Sequence, residues 1–359
     1  MRNRYIDLLR CAAILRVVFY HTSTWAILTI VFPAMSLMFA LGGTLMAASL
    51  DAKGLAAVRS RFRRLLPSFW ALAAVFVPAM LVTGLALEWR VLLWLLPLSD
   101  PPANYWGALV LSPIWYLRDF LWFVLVSPLV LPLFRRFPLP VLIAPYLLLA
   151  AMEFTGWLPG PVLAHVGLYF GAWLLGFAYH DGMLQRMSRR LLAVLTLVLA
   201  VAGGAWTITH PGHRGYDLND IPIGNALWST AFILLVLGLL PQSAGWLARH
   251  RLLDRVVTVL NRRALTIYLW HMPAVILVGV FARWWGWSHV TVSGLTIRTV
   301  MVVLLTAVAV AAVGWVEDAA ARRRPQLLPG GRRRTPPVVP VVPVPRVGAT
   351  DAGPVTVDR

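Results

Sequence analysis

Residues Tyr5 to Ala26 read YIDLLRCAAILRVVFYHTSTWA. The stretch has the length of a membrane span, since about twenty apolar residues cross the hydrocarbon core. Yet it carries Asp7, Arg10, Arg16 and His21. Ionisable groups inside a bilayer are costly, so they face a protein interior or a water-filled cavity. On a helix, at about 100° per residue, Asp7, Arg10, Ile14, Val17, Val18 and His21 share one stripe. Arg10 and His21 then lie ~16 Å apart along that face at 1.5 Å per residue. A basic group near one surface and an imidazole deep in the helix predict a site reached from the cytoplasm.

Composition sets the class around this helix. Of 359 residues, 59% are hydrophobic and 13% charged, with mean hydropathy +0.74. That excludes an ordinary soluble domain and predicts a polytopic membrane protein embedded in lipid. The net charge of +18 comes almost wholly from Arg, Lys53 being the single lysine. Such charge collects in cytoplasmic loops, so it is read as topology and no nucleic-acid partner is expected. The Arg bias, with abundant Ala and Val, points to a GC-rich bacterial source. Cys11 stands alone, so no intrachain disulfide forms. Arg2 and Arg4 could open a signal peptide, but Asp7, Arg10 and Arg16 interrupt its apolar core. A retained first helix is expected.

Apolar runs give ten spans, at roughly 6–27, 29–50, 66–87, 113–134, 139–158, 162–179, 191–208, 223–241, 264–281 and 297–316. Basic residues follow every second span: Lys53 to Arg64, Arg135 and Arg136, Arg186 to Arg190, Arg249 to Arg263, and Arg322 to Arg334. With Arg2 and Arg4 these number twenty-three, against Arg90, Arg214, Arg283 and Arg298 in the opposite loops. Both termini are therefore placed in the cytoplasm. The expected fold is an all-α, ten-helix bundle over 1–320, followed by a basic, Pro/Val-rich disordered tail over 321–359. Within the connections, the run 91–98 is too short to span and is expected to lie in the interface or re-enter. A basic interfacial helix is expected from Trp246 to Leu260.

Four segments carry a family resemblance. RYIDLLRCAAILRVVFYH resembles the first-span signature of the acyltransferase-3 family of bacterial membrane O-acyltransferases, a basic residue and a histidine separated by ten positions, here Arg10 and His21. RSRFRRLLPSFW resembles the family's Arg-x-x-Arg entry to the third span, giving Arg61 and Arg64. PIWYLRDFLWFVLVSPLVL looks like the fourth span. LTIYLWHMP resembles the late Tyr-Leu-x-His-x-Pro motif, with Tyr268, His271 and Pro273. The resemblance covers 1–320 in order. Two departures stand out: Gly42-Gly43 where many members have Ser-Gly, and Arg16 at a position that is usually apolar.

The residues suit that chemistry. His21 is the candidate general base, since an imidazole titrates near neutrality and can take a proton from a hydroxyl attacking a thioester. Arg10 would position the donor or stabilise oxyanion charge. Arg61 and Arg64 would hold phosphates of the polyanionic acyl-CoA through planar guanidinium contacts. Asp7 is expected to orient Arg10 at i,i+3. His271 and Tyr268 are either substrate contacts or structural groups. Asp119, beside Arg118, and Glu153 are candidate buried charges that could pair with Arg16. His165 is expected to be a satisfied helix contact. THPGHRGYDLNDIP, with His210, His213, Asp217 and Asp220, fits no standard metal site and is read as a polar loop.

The resemblance implies transfer of an acetyl or other short acyl group from acyl-CoA to a hydroxyl. The acceptor would be a cell-envelope glycan, a glycolipid or a glycosylated metabolite, and the enzyme would sit in the bacterial inner membrane with no permanently bound cofactor and no metal. A carrier with buried charges would have a similar outline, as would a scaffold presenting the Pro-rich tail; the missing internal repeat counts against the carrier.

Overall fold

The computed structural model describes residues 4–326, so all but the first six residues of the tail expected over 321–359 lie outside the described residues. Ten long helices form the bundle: α1 Arg4–Ser23, α2 Ala34–Lys53, α3 Ala56–Val82, α4 Ile114–Arg136, α5 Pro138–Thr155, α6 Pro161–His180, α7 Arg189–Thr209, α8 Pro222–Leu239, α9 Ala264–Trp285 and α10 Val292–Val313. No strand occurs among the described residues. There, nine helices are long and apolar enough to cross a membrane. The tenth, α1, has 20 residues but carries Arg4, Asp7, Arg10 and Arg16. It is held inside the bundle against α2, α9 and α10 rather than by its own apolarity.

Helix limits follow local chemistry. Pro138, Pro161 and Pro222 occupy the first turns of α5, α6 and α8, where a missing N–H costs nothing. The Ser188 and Thr291 hydroxyls cap α7 and α10 by accepting from the N–H of Leu191 and Gly294, each at 3.2 Å. The largest departure from the expected spans is α3, which begins at Ala56 rather than near 66. The arginine-rich stretch prolongs the helix beyond its apolar portion, so Arg61 and Arg64 sit on a rigid element. The span-two stretch begins with a short helix Ile27–Val31, and α2 itself starts after Pro33. The interfacial helix begins at Arg251, not Trp246, and runs to Arg262.

Packing is tightest between α2 and α6. A Cβ on Gly43 would stand 2.1 Å from the Trp173 carbonyl oxygen, and one on Gly176 2.1 Å from that of Ala40. Only hydrogen fits at such backbone approach, which accounts for Gly43 in the Gly42-Gly43 pair. Thr44 Oγ1 crosses the seam to the Gly176 carbonyl at 3.1 Å. Both helices are largely buried, whereas α5, α7 and α10 form the periphery. The 88–112 connection folds back onto the bundle: Trp94 is buried and stacks on Phe69 at 5.5 Å, and the Leu95 and Leu98 carbonyls accept from Trp70 and Trp122 at 2.8 Å each.

Polar contacts sort the helix ends into two sets. At one end, Arg135 of α4 forks onto Asp51 of α2 and Asp181 after α6, at 2.7–2.9 Å. Arg4 bonds Asp254, and Arg263 bonds Asp318 at 2.7 Å. At the other, Tyr20 of α1 donates to Asp217 at 2.5 Å and Trp228 of α8 donates to the Ile30 carbonyl at 2.7 Å. The first set holds the arginine-rich connections and is called the basic end below.

Candidate active site

Helix α1 runs from the basic end to the opposite end. Its last turn is polar, and its hydroxyls are satisfied within the helix: Thr22 Oγ1 donates to the Val18 carbonyl at 2.9 Å and Ser23 Oγ to that of Phe19 at 2.8 Å. Ile14 packs on Ala264 and Ile267 of α9. Two turns further along, the same face brings His21 to His271, with ring centroids 5.2 Å apart and planes tilted 46°. These residues lie 250 positions apart in sequence, and the bundle makes them neighbours.

The two imidazoles differ. His271 is fully buried, and its Nδ1 stands 2.6 Å from the Tyr268 carbonyl oxygen. A carbonyl only accepts, so Nδ1 carries the hydrogen and Nε2 is left with its lone pair. That Nε2 is buried and has no hydrogen-bond partner among the described residues. His21 is partly exposed, forms no hydrogen bond among the described residues, and lies edge-on to Tyr20 at 5.1 Å. Both rings therefore hold unspent proton-transfer capacity.

A file of aromatic residues joins this pair to the basic end. The Tyr268 ring is 5.8 Å from His271 and 5.1 Å from Tyr116. Tyr268 donates to the Pro113 carbonyl at 2.7 Å. Tyr116 lies within electrostatic range of Arg10, and Arg10 and Arg64 within range of Arg61. Arg61 uses one nitrogen on α2, at 2.7 Å from the Leu45 carbonyl and 3.0 Å from Ser49 Oγ. Arg10 has no ion pair or hydrogen bond among the described residues. The structure thus places Arg10, Arg61 and Arg64 in one cationic group and His21, His271 and Tyr268 in another, with Tyr116 between.

Asp119 anchors a second cluster, within electrostatic range of Tyr268. Its carboxylate accepts from Arg118 Nε at 2.9 Å and lies 2.6 Å from His165 Nδ1. Arg118 also bonds Asp100 at 2.5 Å. Arg118 and Asp119 are both fully buried. A π-helical turn, Val166–Phe170, follows His165 and directs the Tyr169 ring to within 5.6 Å of that imidazole. Sequence reading missed the bond between His165 and Asp119; the two residues are 46 positions apart and no motif joins them.

Three pairings expected from sequence are replaced by others. Asp7 accepts from Arg4 at 3.2 Å, one turn earlier, rather than from Arg10. Arg16 pairs with neither Asp119, which Arg118 occupies, nor Glu153, which lies on an exposed face of α5. Instead Arg16 Nε donates to the Leu28 carbonyl at 2.9 Å and its guanidinium lies 4.9 Å over the Tyr20 ring. A small cleft with room for about one water opens beside it. A shallow groove between α3 and α4, lined by Val58, Phe62, Leu125 and Pro128, is apolar. Neither space is lined by His21 or His271.

Two further ionic groups are structural. In the loop after α7, Arg214 forks onto Asp220 at 2.9 and 2.7 Å, which holds that carboxyl below its usual range and raises the guanidinium. At the basic end, ligand atoms of Asp51, His180 and Asp181 lie within 4.8 Å of one another. Arg135 binds both carboxylates and so supplies the positive charge a cation would bring.

A family model described as an acyltransferase domain matches residues 3–316. No curated protein and no solved structure matches the chain.

Proposed function

The chain belongs to that acyltransferase family and is a multi-pass membrane acyltransferase; from this premise we propose that it carries an acetyl or other short acyl group from acyl-CoA to a hydroxyl of a glycan, glycolipid or glycosylated metabolite in the bacterial inner membrane. The observation that carries the reading is the unsatisfied His21–His271 pair, joined through Tyr268 and Tyr116 to three arginines.

Acyl-CoA enters at the basic end, where Arg10, Arg61 and Arg64 bind its phosphates. Its extended arm follows the aromatic file, and the ~16 Å from Arg10 to His21 separates phosphates from thioester. His21 takes the proton from the acceptor hydroxyl as that oxygen attacks the thioester carbonyl. The new C–O bond forms, the C–S bond breaks, and the leaving thiolate of CoA receives a proton in turn. On this reading the lone pair on His271 Nε2 steadies the imidazolium that His21 becomes, the two rings lying 5.2 Å apart. With the donor on one side and the acceptor on the other, His21 meets both from the last turn of α1.

The reading is tested by incubating the purified protein, in lipid vesicles with a crude envelope extract, with acetyl-CoA labelled in the acetyl group. Label should move into an alkali-labile ester, with release of free CoA in equal amount. His21→Ala should lower that rate by about 10²–10⁴. Uptake of label without CoA release, or an unaltered rate in the variant, contradicts the proposal.

A further inference from the structure

Arg16 is the residue of α1 that the proposed transfer leaves unused. It lines the small cleft at the end opposite the donor arginines, together with Ser36 of α2, Asn219 of the loop after α7, and Asn225 of α8. One of its nitrogens is spent on a backbone carbonyl, and no ion pair forms among the described residues. The nearest acid in electrostatic range is Asp217. That carboxylate is already committed: it accepts from Tyr20 at 2.5 Å and from the Asn219 N–H at 3.0 Å, and Arg214 stands 3.5 Å away. The remaining guanidinium donors of Arg16 thus have no acceptor.

The other walls mix the apolar Pro33, Ala34, Met35 and Leu218 with polar residues. Ser36 is buried at 2% exposure, and its hydroxyl has no partner among the described residues. Asn219 donates to the Tyr20 hydroxyl at 3.1 Å, which leaves its side-chain carbonyl free. Asn225 accepts from Ser229 at 2.8 Å, and its side chain also hydrogen-bonds Tyr169. Among the described residues, the donors left open on this space, which has room for about one water, are the guanidinium of Arg16 and the hydroxyl of Ser36. A half-buried arginine with open donors in a bilayer protein is a binding-site signature, because its desolvation is offset when an anion arrives.

We propose that this cleft is an oxyanion subsite in which Arg16 and Ser36 receive one oxygen of a carboxylate or phosphate of the molecule that enters from the end opposite the donor arginines. On the acyl-transfer reading, that molecule is the acceptor, so the acceptor is acidic, for example a uronic acid or a sugar phosphate. Tyr20 stacks on Arg16 and is adjacent in sequence to His21. Arg16 is in electrostatic range of His21, so an anion on Arg16 is held within that range of the imidazole that receives the proton from the hydroxyl. The anion sets which acceptor is taken, while the chemistry stays with His21.

The subsite is tested without any acyl donor, so its failure is separate from failure of the acyl-CoA reading. The purified protein is titrated at constant ionic strength with glucuronate, glucose 6-phosphate and glucose, and thermal unfolding is followed by tryptophan fluorescence. A ligand that binds the folded state alone raises the midpoint by an amount that grows with the logarithm of one plus the ligand concentration divided by Kd. At least one of the two anions should raise the midpoint by several degrees, and which one does so distinguishes carboxylate from phosphate; glucose should not. Arg16→Met should abolish the shift. Should that variant fold poorly, Ser36→Ala removes the open hydroxyl donor without adding bulk and should weaken the shift while keeping the unliganded midpoint. An equal shift with glucose, no shift with either anion, or a shift undiminished in Ser36→Ala overturns the proposal. Anion binding in a protein that does not transfer acetyl from acetyl-CoA would leave the subsite standing and remove the acyl-CoA reading.

Discussion

Arg118 and Arg16 both lie deep in the end of the bundle away from the arginine-rich connections, and the protein treats them in opposite ways. Arg118 is saturated: Asp119, Asp100 and the His165 ring surround it. Arg16 has one backbone carbonyl and the face of a tyrosine. The histidines divide alike. His165 is locked by a buried carboxylate, whereas His271 Nε2 has no partner and His21 no hydrogen bond. Where a buried charge is fully met inside the protein, its energy goes into holding helices together. Where donors or lone pairs stay open, they are available to substrate. The comparison separates a structural knot from a reactive seam within one polar core.

The predictions test that division, from the largest expected effect to the smallest. His21→Ala and His271→Ala should each cost about 10²–10⁴ in transfer rate, with thermal unfolding shifted little for the partly exposed His21 and more for the fully buried His271, as measured by labelled acetyl transfer and fluorescence melting in parallel. Asp119→Ala strands Arg118 and His165, so it should destabilise by roughly 3–5 kcal/mol and lower the yield of folded protein. If Asp119→Ala instead spared stability and removed activity, the knot would belong to the reaction centre. Gly43→Ala presses a methyl onto the Trp173 carbonyl, and a cost of about 1–3 kcal/mol is expected from denaturation midpoints.

A further prediction concerns pH. Glu317, in the short helix Trp315–Ala320 after α10, accepts from the Thr266 N–H and hydroxyl. Burial pushes its carboxyl up from 4.5 to about 7. The folded state therefore binds a proton that the unfolded state has lost between these values. Stability should fall as pH rises through that window, since the unfolded state there binds fewer protons. Glu317→Gln should flatten that slope and leave the transfer rate unchanged, because this contact is a saturated one. A melting series across pH 4.5–7, compared with transfer rates, checks it.

Much of the bundle was legible from sequence because apolar length and arginine placement are one-dimensional signals. The ten runs appear as ten helices, and Arg4, Arg135 and Arg263 mark one end together. The start of α3 was misjudged because hydropathy drops at Arg59 to Arg64 while the helix continues. The partners of buried charges were not legible. Asp119 and His165, or Arg4 and Asp254, meet through the packing of helices distant in sequence, which no periodicity encodes. The stripe on α1 gave His21 a face, but it took α9 to show that another imidazole shares it.

The central claim, that His21 and His271 form one reactive centre, is tested most directly by a double-mutant cycle on the rate of acetyl transfer to the envelope acceptor. Two groups acting on one proton should be strongly non-additive. His21→Ala with His271→Ala should be hardly slower than the slower single variant. Losses that multiply would contradict a shared centre, and a single variant at the parent rate would remove that residue from it.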